Sequence, residues 1–188
     1  NENMIEGVWC VDSIALDLGF KTGDKLLFAD DKKIERFSDL LESTLISKKV
    51  TIDRDGKRID LLIPEDIIER FIEKESRSVF LPRSPSIIAG FSESSLCEKA
   101  GLKIKDRIIR IGQNDIKYHD QISVALKNFK NKSVDITVIR NDNIITFDVP
   151  VDNDGKIGFY PAILSLSDLD KLGVYTLSVN KYSLLSCF

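Results

Sequence analysis

The chain has 188 residues, of which 43% are apolar, and it carries 27 Lys and Arg against 30 Asp and Glu. This composition is typical of an ordinary folded chain, and a charge so near balance disfavours a nucleic-acid partner, which requires a concentrated positive field. The longest apolar stretches fall far short of the roughly 18 residues of a membrane span, and the first residues lack the basic and apolar regions of a signal peptide. We therefore expect no part of this chain to cross a bilayer.

The first half of the chain predicts short strands around one real helix. Apolar side chains three and four residues apart between 37 and 45 indicate an amphipathic helix, and the Asp55-Gly56 pair indicates a tight hairpin turn. In chain order the predicted elements are an entry strand at 7–11, a single helical turn that ends on Gly19, a strand at 26–28, the helix at 37–45, a hairpin at 51–61 and a connector at 65–78 with helical spacing.

The second half predicts the same elements in the same order. They are an entry strand at 87–91, a helical turn that ends on Gly101, a strand at 108–111, a helix at 121–129 and a hairpin turned at 141–143. Glycine suits the end of each helical turn because positive φ costs a residue without Cβ little. The last hairpin strand of each half leads into a proline, Pro64 or Pro150, as a terminal or edge strand can.

An internal repeat explains this parallel. Residues 19–27 recur as 101–109, displaced by 82 positions, and residues 50–54 recur as 136–140, displaced by 86. Four extra residues in the second copy, around 127–133, account for the difference. A repeat of about 80 residues predicts two small, strongly curved β domains, each with about five strands and one main helix. We place them at 1–82 and 83–164, joined by a short proline-stiffened link at 82–85 and followed by a tail at 165–188.

Few residues in the chain are suited to catalysis. Cys10, Cys97 and Cys187 are an odd number without close pairing, which predicts buried thiols rather than a disulfide framework or a zinc ribbon. His119 is the only histidine, so a zinc-binding histidine pair and the HExxH motif are both excluded, and we predict a surface position for it at the start of a helix. No glycine-rich phosphate loop is present. The sequence therefore predicts no catalytic residue and no metal ligand in this chain.

The two units resemble PDZ domains of the bacterial kind. The second unit has the fuller signature, with a strand at 85–91, a Ser-containing turn that leads into Ala100-Gly101-Leu102, and Asp106-Arg107-Ile108-Ile109. It departs from the family pattern at Leu96-Cys97 and at Lys105, where the family usually has Pro-Ala and Gly. The resemblance implies a mainly β fold with short helices, made of two PDZ domains of the bacterial, circularly permuted type. Each would be a small curved β-sandwich or partial barrel with one main helix.

The arrangement of the pair is most similar to the region between transmembrane segments of the site-2 protease family. The first unit opens directly at 8–15, the bridge at 79–85 leads into the second unit, and residues 155–159 close it. The resemblance implies a membrane-embedded zinc metalloprotease for regulated intramembrane proteolysis, whose zinc ligands lie outside this chain. It implies the bacterial inner membrane, with this region on the periplasmic side, and a tail that approaches the next membrane segment.

A PDZ domain binds an extended peptide as an added strand beside its helix. The partners that the resemblance implies are therefore extended peptides or the C-termini of membrane-anchored substrate proteins, with the membrane contacted by flanking segments and no nucleic acid involved. The implied peptide-binding residues are Ile157, Gly158, Phe159, Tyr160, Ile122, Ala125, Leu126 and Phe129 in the second unit, and Val79, Phe80, Leu81, Leu40, Leu41 and Thr44 in the first.

Charge separates the two units and predicts which one prefers a free carboxylate. Residues 1–82 carry 13 Lys and Arg against 18 Asp and Glu, whereas residues 83–164 carry 12 against 10. An anionic chain end should therefore prefer the second unit. The pair would serve as a substrate dock or as a size-exclusion filter. Two alternatives stay open at this point: the peptide-binding end of a periplasmic trypsin-like serine protease, and a non-enzymatic scaffold.

Overall fold

The structure, a computed structural model, describes residues 6–76 and 78–173. The chain divides into two compact units, one formed by 83–164 and the other by 1–82 together with 165–188. Cys187 and the part of the predicted membrane-approaching tail from residue 174 onward lie outside the described residues.

The first unit contains two separate sheets and three short helices from its main segment. Its elements are β1 (Val8–Cys10), α1 (Ser13–Asp17), β2 (Lys25–Ala29), β3 (Lys32–Lys33), a 3₁₀ turn (Phe37–Asp39), α2 (Leu40–Ile46), β4 (Lys49–Arg54), β5 (Lys57–Leu62), α3 (Ile67–Glu73) and β6 (Phe80–Pro82). β1 pairs with β6, and the other four strands form a sheet in the order β3-β2-β4-β5. A further helix of this unit, α6 (Leu166–Lys171), follows the second unit in the chain.

The second unit repeats this plan. Its elements are β7 (Ile88–Phe91), α4 (Leu96–Lys99), β8 (Arg107–Ile111), β9 (Asn114–Asp115), α5 (Asp120–Leu126), a 3₁₀ turn (Lys127–Phe129), β10 (Ser133–Arg140), β11 (Asn143–Pro150) and β12 (Phe159–Pro161). β12 pairs with β7, and the larger sheet has the order β11-β10-β8-β9. The 3₁₀ turn after α5 lies in the stretch where the sequence predicted the extra residues of the second copy.

The described residues are therefore mainly β with short helices, as the sequence predicted. Among them the strands form small open sheets of two and four strands, and none of these sheets closes into a barrel. Both hairpins have the predicted turns. Asp55 and Gly56 have φ of 53° and 78°, and Asn141 and Asp142 have φ of 47° and 64°, which is the geometry of the two-residue hairpin turns that match strand twist.

Each unit has its own hydrophobic core. The first core includes Val8, Phe20, Leu26, Val50 and Ile52, and the second includes Ile88, Ile108, Ile111, Ile136 and Ile157, all at 2% exposure or less. No residue belongs to both clusters. The buried residues of β4, Val50 and Ile52, alternate along the strand, whereas on β10 Thr137 is buried between Ile136 and Val138, where the pairing with β8 shifts register.

The repeated Gly-Asp block of the first unit contains a buried ion pair. Asp24 is 1% exposed, and its two carboxylate oxygens accept from Nε and Nη2 of Arg54, each at 2.7 Å. The same Nη2 donates to the carbonyl of Gly19 at 2.7 Å, and the Lys21 N–H donates to Asp24 Oδ2 at 2.7 Å. The arginine thus joins the hairpin to the end of α1.

The second unit has the same network. Asp106 is fully buried and accepts two hydrogen bonds of 2.7 Å from Arg140, whose Nη2 also donates to the carbonyl of Gly101 at 2.9 Å. Lys103 N–H donates to Asp106 Oδ2 at 2.8 Å. Lys105, which stands where the first unit has Gly23, has φ of 75° and so adopts the glycine-type conformation of that place. In each unit this contact joins the two blocks of the repeat.

The connector between β5 and β6 folds as the predicted helix, α3, and packs on its own unit. Ile67 is buried and Phe71 packs against the first core. Beyond the helix, Lys74 Nζ donates to Asp12 Oδ1 at 2.9 Å and Ser76 Oγ donates to Asp12 Oδ2 at 2.6 Å. These bonds and the N–H of Ile14 lower the pKa of Asp12 to about 2.

The two described cysteines are buried, as predicted. Cys10 is 8% exposed and Cys97 is completely buried. Burial raises the pKa of the Cys10 thiol to about 12, with a smaller contribution from the negative charge of Asp24. Burial also raises the pKa of Cys97. Both thiols are protonated at neutral pH, so neither has the thiolate that nucleophilic chemistry requires.

His119, predicted at the surface, is only partly exposed. It does stand at the start of a helix, immediately before α5, but its ring is partly buried. The ring Nδ1 lies 3.0 Å from Ser86 Oγ, and Ser86 is itself fully buried. A residue before an amphipathic helix is normally solvated, whereas here Ser86, in the chain preceding β7, lies against the imidazole ring.

Candidate functional site

The candidate site of the second unit lies between strand β12 and helix α5. The loop that leads into β12 spans residues 151–158. Asp152 organises this loop, because its Oδ1 accepts from the N–H groups of Asp154 at 2.9 Å and Lys156 at 2.7 Å. Gly155 packs at the other end of α5, where an added Cβ would lie 3.4 Å from the side chain of Lys130 and 3.9 Å from the carbonyl of Leu126.

Gly158 at the end of this loop has a conformation and surroundings that only glycine tolerates. Its φ is 85°. A Cβ placed there would lie 2.7 Å from Ser92 Oγ and 2.8 Å from Ser95 Cα. The loop therefore approaches the turn before α4 so closely that a side chain at residue 158 would force the two apart.

The loop presents two amide groups that have no partner among the described residues. The carbonyl of Ile157 accepts from Leu96 N–H at 3.1 Å and from Cys97 N–H at 3.0 Å, so this side of the peptide chain is fixed. The N–H groups of Ile157 and Gly158 donate to no described backbone or side-chain acceptor. Ile157 is 2% exposed, and a buried N–H without a partner is uncommon in proteins. Successive unpaired N–H groups form a concavity that suits an anion.

The strand that follows has a free edge. Phe159 stands opposite Phe91 across β12 and β7, and Ser92 N–H donates to the carbonyl of Gly158 at 3.1 Å. In an antiparallel ladder this bond lies next to a non-hydrogen-bonded residue pair, here Phe159 and Phe91. The N–H and C=O groups of each residue in such a pair point away from the partner strand. Phe159 therefore offers both groups to an added strand, whereas Pro161, the next residue in phase, has no N–H to offer.

The start of α5 closes one end of this site. The ring of His119 meets the ring of Phe159 edge-on, with centroids 5.9 Å apart. Burial lowers the pKa of His119, and the negative charge of Asp120 partly opposes that effect. A neutral imidazole against an aromatic ring is the stable form of this contact near neutral pH.

An ion pair fixes the position of the first turn of α5. Arg83 donates to both oxygens of Asp120, at 3.1 Å and 2.7 Å, and its guanidinium lies 4.2 Å from the centre of the Tyr118 ring. The His119 N–H also donates to the carbonyl of Ser84 at 2.8 Å. The link residues directly after β6 are therefore part of the second unit.

The predicted site residues of the second unit occupy two environments. Ile122, Ala125, Leu126 and Ile157 belong to the buried core, and Phe129 and Phe159 are partly buried against it. Tyr160 is 59% exposed. The structure thus brings the loop, β12 and α5 together around shared core side chains. Ser92, Ser95 and His119 also border this site, and the sequence prediction did not include them.

The corresponding place in the first unit contains a cleft of about 170 Å³. It is lined by Phe37, Ser38, Leu40, Leu41, Ser78 and Phe80. Leu40, Leu41 and Phe80 were predicted as site residues, whereas Phe37, Ser38 and Ser78 were not. The connector helix α3 does not line this cleft.

The other predicted residues of the first unit do not line this cleft. Val79 and Thr44 are each 2% exposed, and Leu81 is 37% exposed. The Thr44 hydroxyl is buried without a hydrogen-bond partner among the described residues.

The loop before β6 differs from the loop before β12. Val79 stands where the second unit has Gly158, and Val79 is not among the described residues with positive φ. Cys10 faces Phe80 in the ladder, and Val11 N–H donates to the carbonyl of Val79 at 3.2 Å, so the N–H and C=O of Phe80 point away from β1. Ser78 Oγ donates to that Phe80 carbonyl at 2.9 Å. The Phe80 carbonyl, which an added strand would use as an acceptor, therefore already accepts a hydrogen bond.

Two further observations concern metal binding and membranes. Among residues 6–76 and 78–173, no group of three His, Cys, Asp or Glu side chains is placed to hold a metal ion. Within the same ranges no helix has the length and apolar character that a bilayer crossing needs.

Comparison with known proteins links the chain to proteases. No protein-family model matches the sequence. The chain is 31% identical over 154 residues to a protein of Borreliella burgdorferi named "Putative zinc metalloprotease", a match that covers 79% of this chain and 34% of that protein. It is 26% identical over 149 residues to a protein of Treponema pallidum with the same name, covering 74% of this chain and 32% of that protein.

These relatives connect the chain to a zinc metalloprotease group at low identity. The chain spans about a third of the length of the curated relatives it matches.

Proposed function

We propose that this chain is the tandem PDZ region of a membrane-embedded zinc metalloprotease of the site-2 type, and that its second unit docks the carboxyl end of a substrate polypeptide. The observation that carries the docking proposal is the pair of unpaired N–H groups at Ile157 and Gly158, directly beside the free edge at Phe159. A terminal carboxylate fits this arrangement because it accepts several N–H bonds at one point while the preceding residues pair with the strand edge.

Charge around the loop supports an anionic ligand. Lys130 packs on Gly155, and Lys127 and Lys132 lie in the same stretch after α5. The buried acidic residue of the second unit, Asp106, is neutralised by Arg140 and Asp120 by Arg83. Residues 127–132 and the loop 151–158 together carry four lysines against two aspartates, Asp152 and Asp154, so their net charge is positive.

The protease assignment rests on the names of the two relatives and on the sequence resemblance. Zinc would be held by parts of the whole protein outside the described residues, and this region would serve its protease as a dock or as a size-exclusion filter. The proposed setting is the bacterial inner membrane, with this region on the periplasmic side and membrane-anchored proteins as substrates. The alternative of a trypsin-like serine protease is not favoured, since both relatives are named as metalloproteases.

The test is a titration of the ¹⁵N-labelled 188-residue chain with short apolar peptides that have either a free or an amidated carboxyl end. We expect amide shifts at 122–129 and 157–160 with the free acid and a loss of at least about tenfold in affinity on amidation, because charge-assisted hydrogen bonds are lost. No shift at millimolar free-acid peptide would contradict docking and would leave steric filtering as the better account of the paired units.

A matched pair of variants sharpens this test. Gly158→Ala places a Cβ within 2.8 Å of Ser95 Cα, so it should move the loop and weaken the free-acid peptide to the level of the amide. Gly90→Ala is the control, because its Cβ would meet only Tyr160 Cδ2, at an ordinary 3.7 Å. Equal affinity of the two variants would show that the loop amides do not hold the carboxylate.

A further inference from the structure

The two units differ at the residue that joins the loop to the edge strand, which is Gly158 in the second unit and Val79 in the first. In the second unit this residue belongs to the proposed carboxylate site. Gly158 has φ of 85°, whereas Val79 at the matching place is 2% exposed and is not among the described residues with positive φ. The first unit therefore does not build the same concavity. Its Phe80 carbonyl, which points to the free edge, already accepts from Ser78 Oγ.

The first unit instead has a cleft that suits one apolar side chain. Phe37, Leu40, Leu41 and Phe80 supply apolar walls, and the hydroxyl-bearing Ser38 and Ser78 complete the lining. At about 170 Å³ the cleft is smaller than the roughly 300 to 1,000 Å³ of typical small-molecule sites. A leucine or phenylalanine side chain matches this size and polarity.

The stretch 35–42, which supplies most of the lining and is called the rim here, carries a net negative charge. The stretch 35–42 supplies four of the six lining residues and carries Glu35, Asp39 and Glu42 against the single basic residue Arg36. Glu35 and Glu42 are exposed, and Asp39 is partly exposed. The unit as a whole carries 18 acidic against 13 basic residues between positions 1 and 82. A ligand with a free carboxylate is repelled here, and one with lysine or arginine next to its apolar residue is attracted.

We propose that the first unit binds an internal, cationic segment of polypeptide, with a leucine or phenylalanine side chain in the cleft and no requirement for a free carboxyl end. The occupant is thus a chain stretch of the type Lys-Leu-Lys, chosen by the apolar walls and the acidic rim together. This inference rests on the proposed function, in which the units dock extended polypeptide. It adds that the first unit binds an internal segment of the polypeptide, whereas the second unit binds its carboxyl end.

The experiment uses the ¹⁵N-labelled 188-residue chain and a peptide that is acetylated and amidated, with a central leucine between lysines. We expect amide shifts at 37–42 and 78–81, and none at 157–160. Leucine to alanine in the peptide should weaken binding about tenfold or more, because the buried apolar surface is lost. Lysine to glutamate should weaken it further, and added salt should reduce the difference.

A matched pair of charge variants tests the rim. Glu42→Lys should weaken the cationic peptide about threefold, in line with an exposed charge contact. Glu73→Lys, on α3, makes the same change in net charge at an exposed position that does not line the cleft, and should leave affinity unchanged. Equal effects of the two variants would overturn the acidic rim as the selecting feature.

Three results would overturn the proposal as a whole: no shift in the first unit, shifts in the second unit instead, or equal binding of the alanine peptide. These results are separate from failure of carboxylate docking, because that failure is seen at residues 157–160 with free-acid peptides. A capped cationic peptide that moves 37–42 while free-acid peptides move nothing would support the inference and contradict the docking role of the second unit.

Discussion

Asp24 and Asp106 show how two single residues hold two distant parts of each repeat together. Each is at most 1% exposed, and each pairs with an arginine whose side chain is 21% exposed. A buried carboxylate is tolerable only because the guanidinium and a backbone N–H satisfy it. The sequence showed both blocks of the repeat, but it did not show that Arg54 and Arg140 were the partners. One sign of this pairing was available in the sequence. The displacement between the two copies changes from 82 residues at the first block to 86 at the second, so both blocks are kept although the spacing between them differs.

Asp106→Asn should destabilise the second unit by about 3 to 5 kcal/mol, because it leaves Arg140 without its counter-charge. The measurement is urea unfolding followed by NMR signals of residues 107–111, which report this unit alone.

Asp115→Asn is the matched control. It removes the partner of Arg110 in a pair whose side chains are 56% and 81% exposed, so stability should hardly change. Similar losses for the two variants would contradict a structural role specific to the buried pair.

Among short elements, the connector helix α3 illustrates what periodicity can and cannot predict. The spacing of Ile67, Phe71 and their neighbours indicated a helix, and the helix is present at Ile67–Glu73. Its packing could not be predicted, because the residues that secure it, Lys74 and Ser76, bond to Asp12, more than 60 positions earlier. Asp12 also caps α1 by accepting from the Ile14 N–H at 2.8 Å. One carboxylate therefore serves both helices.

Acidification should release this attachment. The pKa of Asp12 is lowered to about 2 from an ordinary value of 3.8, so its stabilising contribution is present above pH 3.8 and is lost as the pH falls toward 2. We expect the amide signals of Ile14 and Ser76 to titrate together with a midpoint near pH 2 in the native chain.

The readout must be local, because the pKa values of Asp60 and Asp168 are also lowered. Asp12→Asn should abolish the joint titration of Ile14 and Ser76 while leaving that of Asp60 in place. Independent titration of the two amides at an ordinary carboxylate pH would show that Asp12 does not bridge α1 and the end of α3.

On the scale of the whole molecule, the chain is two units with separate cores. The larger sheet of each unit, its hairpin and its buried ion pair are complete within that unit. Arg83, the first residue after β6, is bonded to Asp120 within the second unit. A unit that buries its own core and satisfies its own buried charges meets the requirements for folding alone.

The fragment 83–164 should therefore fold by itself. Its ¹H–¹⁵N spectrum should overlay that of the full chain for residues 88–160, because the contacts of Arg83 with Asp120, His119 with Ser86 and Arg140 with Asp106 all lie within it. Arg83→Ala in the fragment should shift the signals of 119–122, where the ion pair fixes α5. Collapse of the unmodified fragment into an unfolded spectrum would contradict the independence of the two cores.

The sequence by itself determined the repeat, the main strands and the main helix of each unit, both hairpin turns and the burial of Cys10 and Cys97. Local periodicity, turn chemistry and composition carry this information because they act between residues close in the chain. Tertiary structure alone decided that His119 lies partly buried against Phe159, that the amides of Ile157 and Gly158 have no partner among the described residues, and that Val79 lacks the positive φ of Gly158. These features depend on which distant segments meet, and on backbone angles that only a close approach between them imposes.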